Sequence, residues 1–160
     1  MTVKSLQELR QIRDEHKSKI NLRSGDAGAS SDIRDILVCG GTACLSDEGA
    51  KVQKNFGLIL KARGYSDRVN VIATGCFGFC ERGPIVKIEP DRVFYVHVHP
   101  KDVKDIVDEH IIGGRIVERL LYVDPLSKKT LKTSAEMPFY KKQRRIALRN
   151  CGLIDPEDIY

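Results

Sequence analysis

Tryptophan is absent from this chain of 160 residues, and aromatic residues make up only 6% of it. Long apolar runs are also missing, because no stretch is continuous enough to cross a bilayer as a helix. The N-terminus alternates charged and apolar residues and lacks the apolar stretch of a signal peptide. Hydrophobic residues nevertheless reach 41%, which is enough for a core and excludes global disorder. We therefore expect a cytoplasmic chain with one domain and a tail, not inserted in a membrane.

The chain also has no excess charge in the part where a folded body is expected. Its formal net charge is +5, yet residues 32–120 hold 13 basic and 13 acidic residues. The excess lies in the terminal segments, with +2 in residues 1–31 and +3 in residues 121–160. A nucleic-acid-binding domain is expected to carry a basic stripe on its folded body. The charge pattern therefore argues against a nucleic-acid partner.

Five cysteines are present, and four of them form two closely spaced pairs. Cys39 and Cys44 are separated by four residues, Cys76 and Cys80 by three, and 31 residues lie between the pairs. In a cytoplasmic chain, five cysteines favour metal or redox chemistry over a disulfide framework. Four thiolates from two such loops can enclose a 2Fe–2S cluster, which carries electrons. The remaining Cys151 is interpreted as a packing residue or a stray thiol.

The hydrophobic pattern around the pairs predicts how they meet. Apolar runs over 33–38 and 69–73 predict two buried strands, and a glycine-containing cysteine loop directly follows each. Between them, Ser46 is predicted to cap a helix that ends at Gly64. A strand–helix–strand unit normally gives parallel strands with a right-handed crossover, so both loops leave the same edge of the sheet. We therefore expect the four sulfurs to lie together.

Further elements are predicted on either side of this unit. An N-terminal helix over 1–22 and a flexible linker over 23–31 precede the folded body at 32–123. Residues 154–160 look like the start of another helix, which suggests a piece of a longer polypeptide. The other expected elements are an antiparallel hairpin over 85–88 and 93–98, a helix from Pro100 to Gly113-Gly114, a strand over 117–123 and a short helix over 143–150.

Glycines and phenylalanines surround the four cysteines. Glycines adopt backbone angles that other residues avoid and let N–H groups approach the sulfurs, which stabilises the negative charge added on reduction. The phenylalanines are expected to exclude water from part of a cluster. The residues expected to support the ligands are Gly40, Gly41, Thr42, Gly75, Phe77, Gly78 and Phe79.

The spacing alone leaves three alternatives to a cluster open. A structural zinc site favours gaps of roughly two to four residues, which the pairs fit loosely. A thiol–disulfide oxidoreductase normally has a two-residue gap at a helix start, which neither pair has. Incidental buried cysteines are the third alternative. The sequence shows no dinucleotide fingerprint and no Ser/His/Asp or paired-carboxylate arrangement, so no catalytic residues are assigned.

Two weaker features are interpreted without a chemical role. His97 and His99 are predicted to share one face of a strand, where a solvated or half-buried surface is favoured over a metal pair. The basic run 141–145 is interpreted as a solvated face or a partner-docking surface.

Several stretches resemble a known family. Cys39-Gly-Gly-Thr-Ala-Cys44, residues 74–89 around Cys76-Phe-Gly-Phe-Cys80, and residues 93–98 look like the thioredoxin-like 2Fe–2S ferredoxin domain. Residues 111–122 and 139–152 make the resemblance narrower, because they look like the N-terminal part of one flavoprotein subunit. That subunit binds NADH in NAD(P)-dependent or electron-bifurcating iron-only hydrogenases, and it is similar to the NADH-binding subunit of respiratory NADH dehydrogenase.

The resemblance implies a thioredoxin-like α/β fold, with a small mixed sheet and flanking helices. It implies one 2Fe–2S cluster per chain, held by Cys39, Cys44, Cys76 and Cys80. Residues 124–160 would be a basic linker and the start of a truncated flavin-binding domain. FMN and NADH are therefore expected only in the full-length parent, and this chain is expected not to oxidise NADH by itself.

The expected role is one-electron transfer between a flavin and other iron–sulfur clusters. The implied partners are the redox subunits of a hydrogenase complex. An unclosed sheet also favours pairing of two copies as a homodimer.

Overall fold

The computed structural model describes residues 4–24 and 33–156, which form a mixed α/β fold with a small sheet and flanking helices. The helices are α1 (Leu6–Ser24), α2 (Thr42–Ser46), α3 (Gly49–Arg63), α4 (Val103–Asp105, continued in a wider π-helical form over Ile106–Ile112) and α5 (Pro138–Lys141). The strands are β1 (Arg34–Cys39), β2 (Val69–Thr74), β3 (Val86–Glu89), β4 (Val93–Tyr95), β5 (Tyr122–Val123) and β6 (Thr130–Leu131).

The main sheet has four strands in the order β2–β1–β3–β4. β1 and β2 are parallel, and Cys39 pairs with Thr74 where both strands end. β3 is antiparallel to β1, and β4 is antiparallel to β3. The predicted parallel pair and the predicted hairpin are thus confirmed. Because the parallel strands end at one edge, the two cysteine loops start side by side.

The two faces of the sheet bury different residues, because successive side chains of a strand point to opposite faces. Ile36 and Val38 of β1 lie in the larger apolar cluster, which includes side chains of α3 and α4. Leu37 and Cys39 lie in a second, smaller cluster together with Cys44. Residues that follow α4, such as Met137, complete that second cluster. We call the side of the sheet that bears it the cysteine face.

The helix between the parallel strands begins later than predicted. Ser46 is the last residue of α2, and α3 begins at Gly49 after Glu48, which adopts a left-handed φ of 63°. The cause is the close approach of α3 to the first cysteine loop. A Cβ on Gly49 would lie 2.5 Å from the carbonyl oxygen of Cys44. The predicted end at Gly64 is confirmed by its φ of 73° and its N–H bonds to the last turn of α3.

Four other sequence predictions are wrong. The strand predicted over 117–123 is reduced to β5, because Glu118–Leu120 form a 3₁₀ turn. Residues 143–150 are not helical. His97 and His99 do not share a strand face, because β4 ends at Tyr95 and His97 has a φ of 51°. Ile33 precedes β1 and is exposed.

The N-terminal helix α1 is attached to the body at its C-terminal end. Arg23 Nε donates to Asp35 Oδ2 at 2.6 Å, and Arg23 Nη1 donates to the carbonyl oxygen of Leu153 at 2.9 Å. Asp35 is buried and also accepts a hydrogen bond from Asn70 Nδ2 at 2.9 Å. The predicted linker at 23–31 lies mostly outside the described residues. Across 4–24 and 33–156, no helix combines the length and apolarity needed to span a membrane.

Candidate metal centre

The structure brings the four paired cysteines to one edge of the sheet. Cys39 is the last residue of β1, Cys44 lies in α2, Cys76 follows β2, and Cys80 begins a 3₁₀ turn. Cys39 and Cys44 are buried, Cys76 is half-buried, and Cys80 is exposed. The site therefore has a closed half on β1 and α2 and an open half on the loop after β2, which we call the open loop (residues 75–80).

The sulfur atoms approach one another within and between the pairs. Cys76 Sγ and Cys80 Sγ are 3.9 Å apart. Two thiolates on one tetrahedral metal, with bonds of about 2.3 Å, lie roughly 3.8 Å apart, so this pair fits a shared iron. The Cys44 thiol is hydrogen-bonded to Cys39, and Cys39 in turn contacts Cys76. Among the described residues, no three His, Cys, Asp or Glu side chains surround a single ion position.

Glycines make the approach of the sulfurs possible. A Cβ on Gly41 would lie 2.9 Å from Cys76 Sγ and 3.5 Å from Cys39 Sγ. A Cβ on Gly83 would lie 2.7 Å from Cys44 Sγ. Both glycines have a φ near that of ordinary residues, −66° for Gly41 and −69° for Gly83. They are therefore needed for space, whereas Gly78 alone among the loop glycines needs its left-handed φ of 79°.

The two thiols of the closed half differ in pKa. The hydrogen bond from Cys44, assisted by the N–H groups of Phe77 and Gly41, lowers the pKa of Cys39 to about 6. The same bond and burial raise the pKa of Cys44. The pKa values of the two thiols are thus shifted in opposite directions. Because metal ligands must be thiolates, metal binding releases the protons that these cysteines carry.

Backbone N–H groups also reach the open half. The Gly78 N–H donates to Cys76 Sγ at 3.2 Å. Gly40 contributes differently, since its N–H bonds to the Thr74 carbonyl at 2.9 Å and joins the ends of β1 and β2. Thr42 is exposed as the first residue of α2.

The two phenylalanines of the open loop turn into the cysteine face. Phe77 and Phe79 are both buried. Phe77 packs edge-on against Phe94 at 5.6 Å, and Phe79 packs edge-on against Tyr122 at 5.3 Å between ring centroids. Phe79 also stacks on Phe139 at 4.8 Å. These rings anchor the loop and keep water from its inner side.

The C-terminal part of the chain lies directly on the open loop, which the sequence reasoning missed. Tyr140 Oη donates to the Phe77 carbonyl oxygen at 3.0 Å, and Arg145 Nη2 donates to the same oxygen at 2.5 Å. A Cβ on Gly75 would lie 3.5 Å from Cys151 Sγ, so Cys151 packs against the start of the open loop. We call residues 137–152 the C-terminal cover. Its aromatic pair Phe139-Tyr140 is the only sequence signal for this packing.

The chain is similar to known 2Fe-2S ferredoxins. The thioredoxin-like 2Fe-2S ferredoxin family model matches residues 30–110. A 2Fe-2S ferredoxin of Clostridium pasteurianum is 42% identical over 77 residues, which cover 48% of this chain and 76% of that protein. A 2Fe-2S ferredoxin of Aquifex aeolicus (strain VF5) is 47% identical over 51 residues, which cover 32% of this chain and 46% of that protein.

A solved structure shows the same fold. The crystal structure of the wild-type thioredoxin-like 2Fe-2S ferredoxin from Aquifex aeolicus matches with a TM-score of 0.51 at 31% identity. The match covers 55% of this chain and 94% of that chain. Sequence, fold and chemistry thus agree on a 2Fe–2S cluster, and the zinc and dithiol alternatives are set aside. The chain belongs to the thioredoxin-like 2Fe–2S ferredoxin family, whose function is electron transfer.

Proposed function

We propose that Cys39, Cys44, Cys76 and Cys80 hold the cluster, and that the domain relays electrons between a flavin and other iron–sulfur clusters. The setting we propose is an NAD(P)-linked hydrogenase or dehydrogenase complex. One observation carries the ligand set: two loops from adjacent parallel strands bring these four sulfurs to one edge of the sheet. When bound, a 2Fe–2S cluster supplies reversible one-electron transfer.

The closed half supplies a fixed frame for the site. The Cys39 N–H donates to the Ile85 carbonyl at 3.0 Å, so Cys39 is bonded to the sheet while it faces the open loop. β1 lies between two strands and has no free edge. Ligands that are held rigidly move little when the charge of the site changes, and a small rearrangement favours fast electron transfer.

The open half is where we propose that redox partners approach. Cys80 is exposed, whereas the cysteines of the closed half are buried. Electron transfer requires close approach, so the exposed Cys80 end of the open loop is the natural contact for a partner subunit. The predicted homodimer stays a prediction.

The position of the C-terminal cover supports a flavin as the neighbouring redox group. Residues 139–152 resemble the stretch that leads from the ferredoxin domain into the flavin domain of the NADH-binding flavoprotein subunit. This stretch contacts the open loop, for example through the 3.0 Å bond from Tyr140 to Phe77. A flavin domain that continues from the cover would therefore start beside the cluster.

The test uses the anaerobically reconstituted chain. We expect about two irons per chain, visible charge-transfer bands and a paramagnetic signal after dithionite reduction. NADH alone should leave the protein oxidised, whereas photochemically reduced FMN should transfer one electron per chain. A colourless protein without iron would refute the ligand set. A loaded protein that dithionite reduces but reduced FMN does not would refute the flavin relay and leave the electron carrier in place.

A further inference from the structure

We propose that Arg145 raises the reduction potential of the cluster by acting on the peptide group between Phe77 and Gly78. The inference rests on the proposed function, because it takes Cys76 as a ligand. Arg145 acts through this peptide and does not contact the sulfur in the structure, so it is a positioning and charge-supplying residue.

One peptide group connects the guanidinium to the ligand. Arg145 Nη2 donates to the Phe77 carbonyl oxygen at 2.5 Å. The N–H at the other end of the same peptide belongs to Gly78 and donates to Cys76 Sγ at 3.2 Å. A cation on the oxygen polarises the peptide, and hydrogen bonds in a chain strengthen one another in this way. Arg145 therefore strengthens the N–H···S bond to Cys76.

The guanidinium is held in place. It lies 5.1 Å from the centre of the Tyr140 ring, and its Nε donates to Gln143 Oε1 at 3.3 Å. Arg145 is half-buried, whereas the neighbouring Arg144 is exposed. A Cβ on Gly78 would lie 2.9 Å from Arg145 Nη2, so the glycine leaves the space that the guanidinium fills.

The positive charge of Arg145 is not neutralised locally. Within residues 4–24 and 33–156, no carboxylate forms an ion pair with it. The charges of Arg145 and of the cysteines both act on Tyr140. Burial raises the pKa of Tyr140 to about 12, the charges of Cys39 and Cys76 contribute to that rise, and the charge of Arg145 opposes it. Arg145 and the cysteine sulfurs thus act on the same small region.

The sign of the effect follows from charge. Reduction adds one electron, converts one ferric iron to ferrous, and makes the thiolate-ligated site more negative by one charge. A fixed positive charge and a stronger N–H···S bond both stabilise that added charge more than the oxidised state. Salt screens exposed charges far more than partly buried ones. The contribution of Arg145 should therefore persist in concentrated salt, unlike that of an exposed arginine.

The experiment is a redox titration of the loaded protein, followed by paramagnetic resonance at low and at high salt. Arg145→Gln removes the charge, and Arg145→Lys keeps it without the planar fork. Tyr140→Phe removes the other hydrogen bond to the Phe77 carbonyl without a charge change. Arg144→Gln is the matched control, because it removes the same charge one residue away from an exposed position. Iron content and hydrogen exchange of the Gly78 amide in the apoprotein are measured for each variant.

We expect Arg145→Gln to shift the midpoint potential to more negative values at both salt concentrations and to speed exchange of the Gly78 amide. Tyr140→Phe should give a smaller shift in the same direction, and Arg145→Lys should recover part of the loss. Arg144→Gln should give at most a small shift that high salt removes. If Arg145→Gln does not load, the Tyr140→Phe shift and the Gly78 exchange rate still decide the question.

An unchanged potential in Arg145→Gln, or a shift equal to that of Arg144→Gln, would overturn the proposal. A shift in the midpoint potential of Arg145→Gln that disappears at high salt would overturn it as well. If Arg145→Gln does not bind iron, an unchanged midpoint potential in Tyr140→Phe would overturn the proposal. The iron content of the wild-type protein distinguishes a failure of this proposal from a failure of the proposed function. Wild-type protein without iron refutes the ligand set, whereas loaded wild type with an unmoved Arg145→Gln potential refutes only the role of Arg145.

Discussion

Gly41→Ala is the smallest change that tests the sulfur arrangement. The new Cβ would lie 2.9 Å from Cys76 Sγ and 3.1 Å from Cys76 Cβ, both too close. Restoring an ordinary contact of 3.4 Å moves the Cys76 sulfur by about 0.5 Å, whereas a metal site tolerates about 0.2 Å. The backbone itself accepts alanine, because Gly41 has a φ of −66° and a ψ of 148°. The effect should therefore fall on metal loading and not on folding.

The assay compares iron binding with stability in the same protein. We expect Gly41→Ala to weaken iron retention by about 10- to 100-fold, as other changes beside metal ligands do. Urea unfolding of the apoprotein should change little. Gly57→Ala is the matched control, because a Cβ on Gly57 in α3 would meet nothing within 4 Å. It should load normally and stabilise the protein by about 0.5–1 kcal/mol, since alanine favours a helix interior.

One result would refute the reasoning behind Gly41. If Gly41→Ala retains two irons per chain with the wild-type visible spectrum under chelator challenge, the sulfurs do not need the space that glycine leaves. Equal loss of iron in Gly41→Ala and Gly57→Ala would point instead to a general sensitivity to substitution.

Three further predictions test the ligands and the stability of the body. Cys76→Ala should lose most of its iron and Cys151→Ala should keep the wild-type spectrum, and the reverse pattern contradicts the ligand set. Arg23→Met leaves the buried Asp35 without its cation and should lower the free energy of unfolding by about 3–5 kcal/mol in urea; a loss below 1 kcal/mol would show that the helix attachment is weak. Burial lowers the pKa of His110, although Asp91 opposes this shift, so the folded protein favours the neutral imidazole. The stability that this preference contributes is present above the pKa of His110 in the unfolded chain, and it is lost as pH falls through the lower pKa of the folded protein. The free energy of unfolding of the apoprotein should therefore decline more steeply below about pH 6.5 in wild type than in His110→Gln, and parallel curves would contradict this.

The arrangement of the parallel unit could be predicted because it depends on general rules. Two apolar runs with a helix between them have one favoured handedness, and this alone places Cys39 and Cys76 at one edge. The start of α3 could not be predicted in the same way. Ser46, Asp47 and Glu48 give a good local capping signal, but the contact between Gly49 and the Cys44 carbonyl decides where the helix starts. A close backbone approach of this kind leaves no trace in local composition.

The C-terminal cover could not be predicted for a different reason. Arg145 and Phe77 are 68 positions apart, and Tyr140 and Phe77 are 63 apart. Such contacts follow no period of a helix or strand, so a basic run that includes Arg145 looks like any solvated surface. Only the fold shows that this arginine differs from Arg144 beside it. The glycines show the same limit, because the sequence predicted that they let the backbone approach the sulfurs but not which sulfur each glycine accommodates.

The C-terminal cover is also synthesised late. A ribosome synthesises Cys80 almost sixty residues before Met137, the first residue of the C-terminal cover. At translation rates of about 5–20 residues per second, this interval is on the order of several seconds. During that interval the nascent chain already contains all four sulfurs but not the segment that lies over them. An iron donor that acts on the nascent chain within this interval would therefore meet the cysteine loops before the C-terminal cover exists.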